Sequence, residues 1–304
     1  MSVNLPTHYV QQFSTNIQLL LQQKGSKLRD RVMSGSHVGK QASPVDQIGA
    51  INMQPRTTRF APMGRVDAPT DRRWVFPSDF DLPQLVDSID KLRMITDPQS
   101  AFVQNAVMAA GRQFDDLIID AFFADAKTGE TGSTTTQFGT TTSATTGQNV
   151  SASHEASATT GLTFAKLREA KRVLMANQVD LEADPLTCIV TSRQHDDLLK
   201  EVQVTNLDYT NRAVLDEGKV TRVLGIDIVH CERLDTGTDD LAATSRMVPV
   251  FAKSGMYLGI WDDIKTSVSQ RNDLQGEPWQ AYVTMTAGAT RLEEKKVVRI
   301  WCDE

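Results

Sequence analysis

From Pro98 to Ala126 the chain keeps one apolar rhythm. Phe102, Val103, Ala106, Val107, Ala110, Phe114, Leu117, Ile118, Ala121 and Phe122 recur at spacings of three and four. Thr96 or Asp97 can cap this segment, and Pro98 suits a first helical position, where its missing N–H is no loss. About 28 residues rising 1.5 Å each predict a rod of roughly 42 Å, about twice an average helix. Any fold for this chain must accommodate that rod.

The segments before the rod are of another kind. Residues 9–24 predict a short helix with Val10, Phe13, Ile17, Leu20 and Leu21 on one stripe, stopped at Gly25. From Ser34 to Pro83, glycines and prolines interrupt every helical pattern and leave short extended pieces such as Ile51-Asn52-Met53 and Trp74-Val75-Phe76. A stretch this long without core periodicity is either disordered or laid across another surface. Its large apolar groups, Met53, Phe60, Met63, Trp74 and Phe76, favour the second. A short amphipathic segment, Leu85 to Met94, leads into the rod.

After the rod, residues 128–161 are Thr, Ser or Gly at 22 of 34 positions. They read as a flexible linker or, since Thr is β-prone, as an extended hairpin at a subunit contact. The remainder alternates. A helix is expected over Phe164–Asn177 with Leu167, Ala170, Val173 and Leu174 inward, and another from a Ser192 cap to Val202. Strands are expected at 188–190, 223–229 (broken by Gly225), 248–252, 256–261, 279–286 and 297–301. The class is α+β, one long helix with mixed sheets.

Charge divides the chain. Residues 1–75 hold ten lysines and arginines, four aspartates and no glutamate, a formal +6; the whole chain is −6, so residues 76–304 carry −12. Such polarity fits a basic arm laid over an acidic copy of the same chain better than it fits direct nucleic-acid contact, because the arm's charges are spread out and mixed with aspartates. Cys188, Cys231 and Cys302 cannot all pair and form no CxxC, so buried free thiols are expected. No apolar run approaches 18 residues and the N-terminus lacks signal-peptide character, which predicts a soluble, cytosolic origin.

Chemistry-bearing motifs are sparse. His195-Asp196-Asp197 follows a cap, where acids favour the helix dipole; adjacent helical residues diverge and make a poor metal site. Asp115, Asp116, Asp120 and Asp125 have no helically spaced histidine and read as a solvated or inter-subunit polar face. His154-Glu155 lies in the Thr-rich stretch without a rigid support. No GxSxG, HExxH, GxxxxGK[ST] or GxGxxG occurs. No enzyme, cofactor or metal site is expected.

The order of parts carries a resemblance. Asp90-Lys91-Leu92-Arg93 with Asp97-Pro98, Ala109 to Ile118, Val223 to Val229, and Gly288-Ala289-Thr290-Arg291 followed by Val297-Val298-Arg299-Ile300 resemble, in order, four stretches of the tailed-bacteriophage major capsid proteins with the Hong Kong 97-like fold. They correspond to the start and middle of the spine helix, a strand near the capsomer-centre domain, and the C-terminal return strand. The resemblance implies an N-terminal arm (1–45), an extended loop overlapping a neighbour (46–82), a peripheral domain with the spine helix (83–161), an axial domain (162–270) and strands returning to the peripheral domain (271–304). It implies hexamers and pentamers of an icosahedral head around double-stranded DNA, assembled in the host cytoplasm and found in the virion, without a membrane.

The expected partners are further copies, a portal protein, a separate scaffold protein, a decoration protein in some heads, and packaged DNA held non-specifically on the inner surface. Inter-subunit contacts are expected from Arg56, Arg59, Arg65, Arg72, Arg73, Trp74 and Phe76 of the loop. The family's founding member joins a loop lysine to a neighbour's asparagine. This chain has no lysine between Lys40 and Lys91, so its shell should lack that bond. Alternatives are an encapsulin-like compartment of the same fold and a soluble enzyme or binding protein.

Overall fold

The computed structural model describes residues 22–39, 42–55, 65–86, 99–139, 147–201, 204, 218–237 and 245–304. The helix expected over residues 9–24 lies largely outside them, as do the caps proposed at Thr96 to Pro98.

Helix α1, Gln99–Phe123, is the expected rod at 25 residues, about 37 Å. Ala106, Ala110, Phe114, Ile118 and Phe122 are buried at intervals of four, which keeps one stripe inward. Asp115 departs from the expected polar face and is fully buried. Its carboxylate accepts from Ser26 Oγ (2.5 Å) and from the backbone N–H groups of Lys27 (3.0 Å) and Leu28 (3.1 Å), so burial is compensated by three donors of the arm. Asp116 pairs with Arg233.

Fifteen strands are described: β1 Met33–Ser36, β2 Ala42–Ile48, β3 Thr70–Val75, β4 Ser78–Val86, β5 Ala126–Thr128, β6 Thr134–Thr136, β7 Asn149–Val150, β8 Leu186–Val190, β9 Arg222–Val223, β10 Ile226–His230, β11 Thr236–Gly237, β12 Ser245–Ala252, β13 Met256–Gln270, β14 Trp279–Arg291 and β15 Val297–Asp303. They form three sheets, ordered β1-β13-β14-β4, β7-β15-β12-β8-β10-β9 with β11 on β12, and β2-β3-β5-β6.

The chain divides into two compact units. The smaller comprises residues 1–25, 79–112 and 262–285, the larger 26–78, 113–261 and 286–304. The second sheet is the core of the larger unit. Every residue of β8 is buried, as is Val297 to Cys302 of β15, because both faces of a central strand are covered. Helix α2, Phe164–Ala176, packs on β15 and β7, with Leu167, Ala170, Val173 and Leu174 inward as expected. Lys166 is buried beside them and gives its ammonium to the carbonyls of Thr160 (2.6 Å), Gly161 (2.8 Å) and Trp301 (3.0 Å). Helix α3, Ser192–Lys200, is capped by Thr191 with Gln194 in a capping box, one residue before the expected Ser192. The three cysteines are free and buried, and burial pushes their thiols up.

One strand expectation needs correction. Residues 223–229 are not one broken strand. Leu224 and Gly225 have φ of 53° and 83°, and this left-handed pair folds β9 back on β10 as a tight hairpin. Of the two readings of the Thr-rich stretch, its first part takes the hairpin: β5 and β6 pair antiparallel, and β5 pairs with β3. Residues 140–146 lie outside the described residues.

Candidate inter-subunit surface

β2 and β3 pair antiparallel, with Asp46 opposite Arg72 and Ile48 opposite Thr70, so the predicted extended loop is a hairpin with two paired legs. The strand pleat sends neighbours to opposite faces. Arg73 and Val75 point inward; Arg72 and Trp74 are half-buried on the other face. Val75 packs with Tyr257, Leu292 and Trp261. Arg73 is 4% exposed and donates through Nη2 to Glu294 at 2.8 Å. On the opposite face Arg72 holds Asp46 through two nitrogens, the shorter contact 2.5 Å, and lies 5.7 Å from the Trp74 ring centroid. Trp74 Nε1 donates to the Gly129 carbonyl at 2.7 Å.

The turn at 293–295 faces the hairpin root, and Gln47 donates to the Leu292 carbonyl at 2.7 Å. Gly288 shows how close the packing is. A Cβ there would stand 2.1 Å from the Phe76 carbonyl oxygen, so only glycine lets the two backbones approach.

Of the seven residues expected to touch a neighbour, Arg72, Arg73 and Trp74 thus have partners inside their own chain and build the root. Arg65 pairs locally with Asp67 at 2.7 Å and Phe76 is 43% exposed. Arg56 and Arg59 lie outside the described residues. Beyond the root, the hairpin displays Ile48, Ile51, Met53 and Val66, all exposed, with Met53 at 100%. Met53 had been named from the sequence among the loop's large apolar groups and Ile51 in an extended piece, but none of the four was among the seven residues expected to touch a neighbour.

The arm from residue 26 to 37 also packs on its own chain. Leu28 is fully buried, Arg29 lies 5.1 Å from the Phe114 ring centroid, and β1 pairs parallel with β13 from Met33↔Tyr257 to Ser36↔Ile260. The arm was expected to lie over neighbouring copies; this part is fastened to the spine helix through Asp115.

The three candidate chemical clusters have structural partners. Asp196 and Asp197 pair with Lys200, and Glu155 pairs with Arg168 at 2.5 Å. Among the described residues no group of three or more His, Cys, Asp and Glu side chains could hold a metal ion. His195 Nε2 accepts from the Val220 N–H at 3.1 Å, and burial, then His230 and Lys219, lower its pKa. The unfolded chain therefore binds a proton that the folded chain refuses. The His195 contribution is complete above about pH 6.5 and is lost as pH falls from there toward the lower folded value. Thermal melts between pH 5 and 7.5 should show this loss, and His195→Gln should flatten that part of the profile.

The same architecture occurs in solved phage capsids. The chain aligns with the cyanophage Pam1 capsid at a TM-score of 0.75 and 14% identity, covering 99% of this chain and 98% of that one. It aligns with the capsid of cyanophage P-SCSP1u at 0.72 and 14%, covering 100% and 97%, and with a chain of Mycobacterium phage Che8 at 0.66 and 13%, covering 97% and 98%. At such identities the likeness establishes the α+β fold, as the sequence resemblance led one to expect. No curated protein matches the chain. The phage capsid protein family model, however, matches residues 5–304, so arm, hairpin, spine helix and return strand all fall within one family pattern, and the chain belongs to the phage capsid protein family.

Proposed function

We propose that this major capsid protein assembles into hexameric and pentameric capsomers of an icosahedral head around double-stranded DNA, with the β2–β3 hairpin laid over an adjacent copy. The hairpin carries the proposal. Its root is held by a buried Arg73–Glu294 pair, while Ile48, Ile51, Met53 and Val66 stand exposed beyond it. A tethered segment with exposed apolar side chains adds contact area without fixing the angle between bodies, which suits one chain that must close rings of both five and six. Arg65 and Phe76, with Arg56 and Arg59, remain the polar and aromatic contacts proposed for the neighbour. Arg72, Arg73 and Trp74 act by holding the root.

The five-part division by role, a separate scaffold, a portal, a decoration protein and assembly in the host cytoplasm belong to the same reading. The role is structural rather than enzymatic. Negative-stain microscopy of the purified chain, with and without co-expressed phage head proteins, tests it. Shells, sheets or rings are expected, and a stable monomer or dimer under every condition would sink it. Copurifying enzyme cargo instead of DNA or portal would favour the encapsulin-like alternative. Shells boiled in detergent and reductant should run as one 33.6 kDa band, since the loop lacks lysine; a ladder of higher bands would contradict the non-covalent shell.

A further inference from the structure

A cleft of about 690 Å³ opens where the arm passes β10 and the start of α3. Lys27, Arg31, Lys219, His195, His230 and Ser192 line it, and among the described residues no carboxylate does. The two acids at its rim are engaged. Asp227 pairs with Arg31 at 2.9 Å and Arg222 at 3.5 Å. Glu232 accepts from the Ser192 N–H at 2.7 Å and contacts His230 Nε2 at 2.6 Å. Lys27 spends one N–H on the His230 carbonyl, at 2.8 Å, and keeps two. Lys219 is exposed and has no partner among the described residues. Three of the described lining residues, Lys27, Arg31 and Lys219, are cations, on a chain whose total is −6.

We propose that this cleft binds phosphate groups of a nucleic-acid backbone. The proposal rests on the reading of the chain as a shell around DNA, and it assigns one place where the shell holds its contents. Phosphate fits better than a neighbour's carboxylate. Carboxylates are held best by a free arginine fork, and the cleft's one arginine already serves Asp227. The available groups are lysines, point charges that accept a phosphate from many directions. A cleft of this size admits a phosphate with its flanking sugars. Burial lowers the pKa of His195 most, and the positive charge of His230 and Lys219 adds to this against the opposing charge of Asp196.

The test uses full-length soluble subunits and a fluorescently labelled DNA duplex, with binding followed by anisotropy over a salt series. Each lysine that neutralises a phosphate adds about one unit to the slope of log K against log salt. Lys219→Ala should lower the slope by about one unit, and Lys27→Ala with Lys219→Ala by about two. The charge-matched pair Lys127→Ala with Lys295→Ala, outside the cleft, should leave it unchanged. Equal losses in the control pair, or unchanged slopes in both cleft variants, overturn the proposal. So does a cleft variant that binds duplex normally but no longer forms shells, because the cleft would then meet another copy. Displacement of the duplex by millimolar inorganic phosphate from the wild type, but not from the Lys219 variant, supports it; phosphate binding that depends on Lys219 while duplex binding does not overturns it. Subunit binding is read apart from shell formation, so a failure here is distinct from failure of the capsid assignment.

Discussion

Subunits carrying Ile51→Asp with Met53→Asp are expected to fold normally and to form no shells. Neither side chain is buried in its own chain, so a surface substitution there should change subunit stability by no more than about 0.5 kcal/mol. Laid on a neighbour, each would bury an apolar side chain worth about 1.5–3 kcal/mol. Two carboxylates in that contact forfeit this gain and add desolvation. A loss of about 4 kcal/mol per contact is nearly a thousandfold in its association constant, and every subunit repeats it. Circular dichroism should match the wild type, and microscopy should show shell yield reduced more than a hundredfold. Normal shells from this variant would show that this part of the hairpin is not an interface.

Arg291→Ala should destabilise the subunit by about 4 kcal/mol, in the range for breaking a buried charged network. Arg291 is 1% exposed and sits at the end of the spine helix. Its guanidinium donates to the carbonyls of Phe122 at 2.7 Å and Ala124 at 3.0 Å, two acceptors that a helix terminus leaves without intrahelical partners. The positive charge also meets the negative end of the helix dipole, and the group lies 4.9 Å from the Phe138 ring centroid. Alanine would leave those carbonyls buried and unpaired beside a cavity. Lysine has one charged nitrogen and cannot span both carbonyls and the ring, so Arg291→Lys should cost about half as much. Denaturant titration of soluble subunits measures both, and equal stability of all three proteins would refute the capping role.

The features legible in the sequence were those written in local pattern. The spine helix shows because Ala106, Ala110, Phe114, Ile118 and Phe122 repeat along one face. β14 shows for the same reason at period two, with Ala281, Val283 and Met285 buried in alternation. The loop residues were harder. Arg72 and Arg73 look alike as neighbours in a basic stretch, yet the pleat sends one outward to Asp46 and the other into the interior to Glu294, 221 positions away. Asp115 looked like one of four aspartates on a wet face. Its burial depends on Ser26, Lys27 and Leu28 of the arm, nearly 90 positions earlier, which no periodicity of the helix records. The cleft at Lys27, His195 and Lys219 draws on separate segments for the same reason.

The sequence by itself determined the class, the long helix, the order of parts, the opposed charges of the two portions and the lysine-free loop. These follow from side-chain spacing and composition, which act over a few residues or as simple sums. Only the tertiary structure decided which charges are spent inside the subunit and which remain for partners. An ion pair or a buried carboxylate is defined by atoms within about 3 Å of one another, and that proximity exists only after distant segments have packed. The basic arm is the clearest case: its charge was visible at once, but Asp115 fastens its start to the spine helix, and Arg73 turns the hairpin root inward. The apolar side chains beyond that root, Ile51 and Met53, are left facing outward.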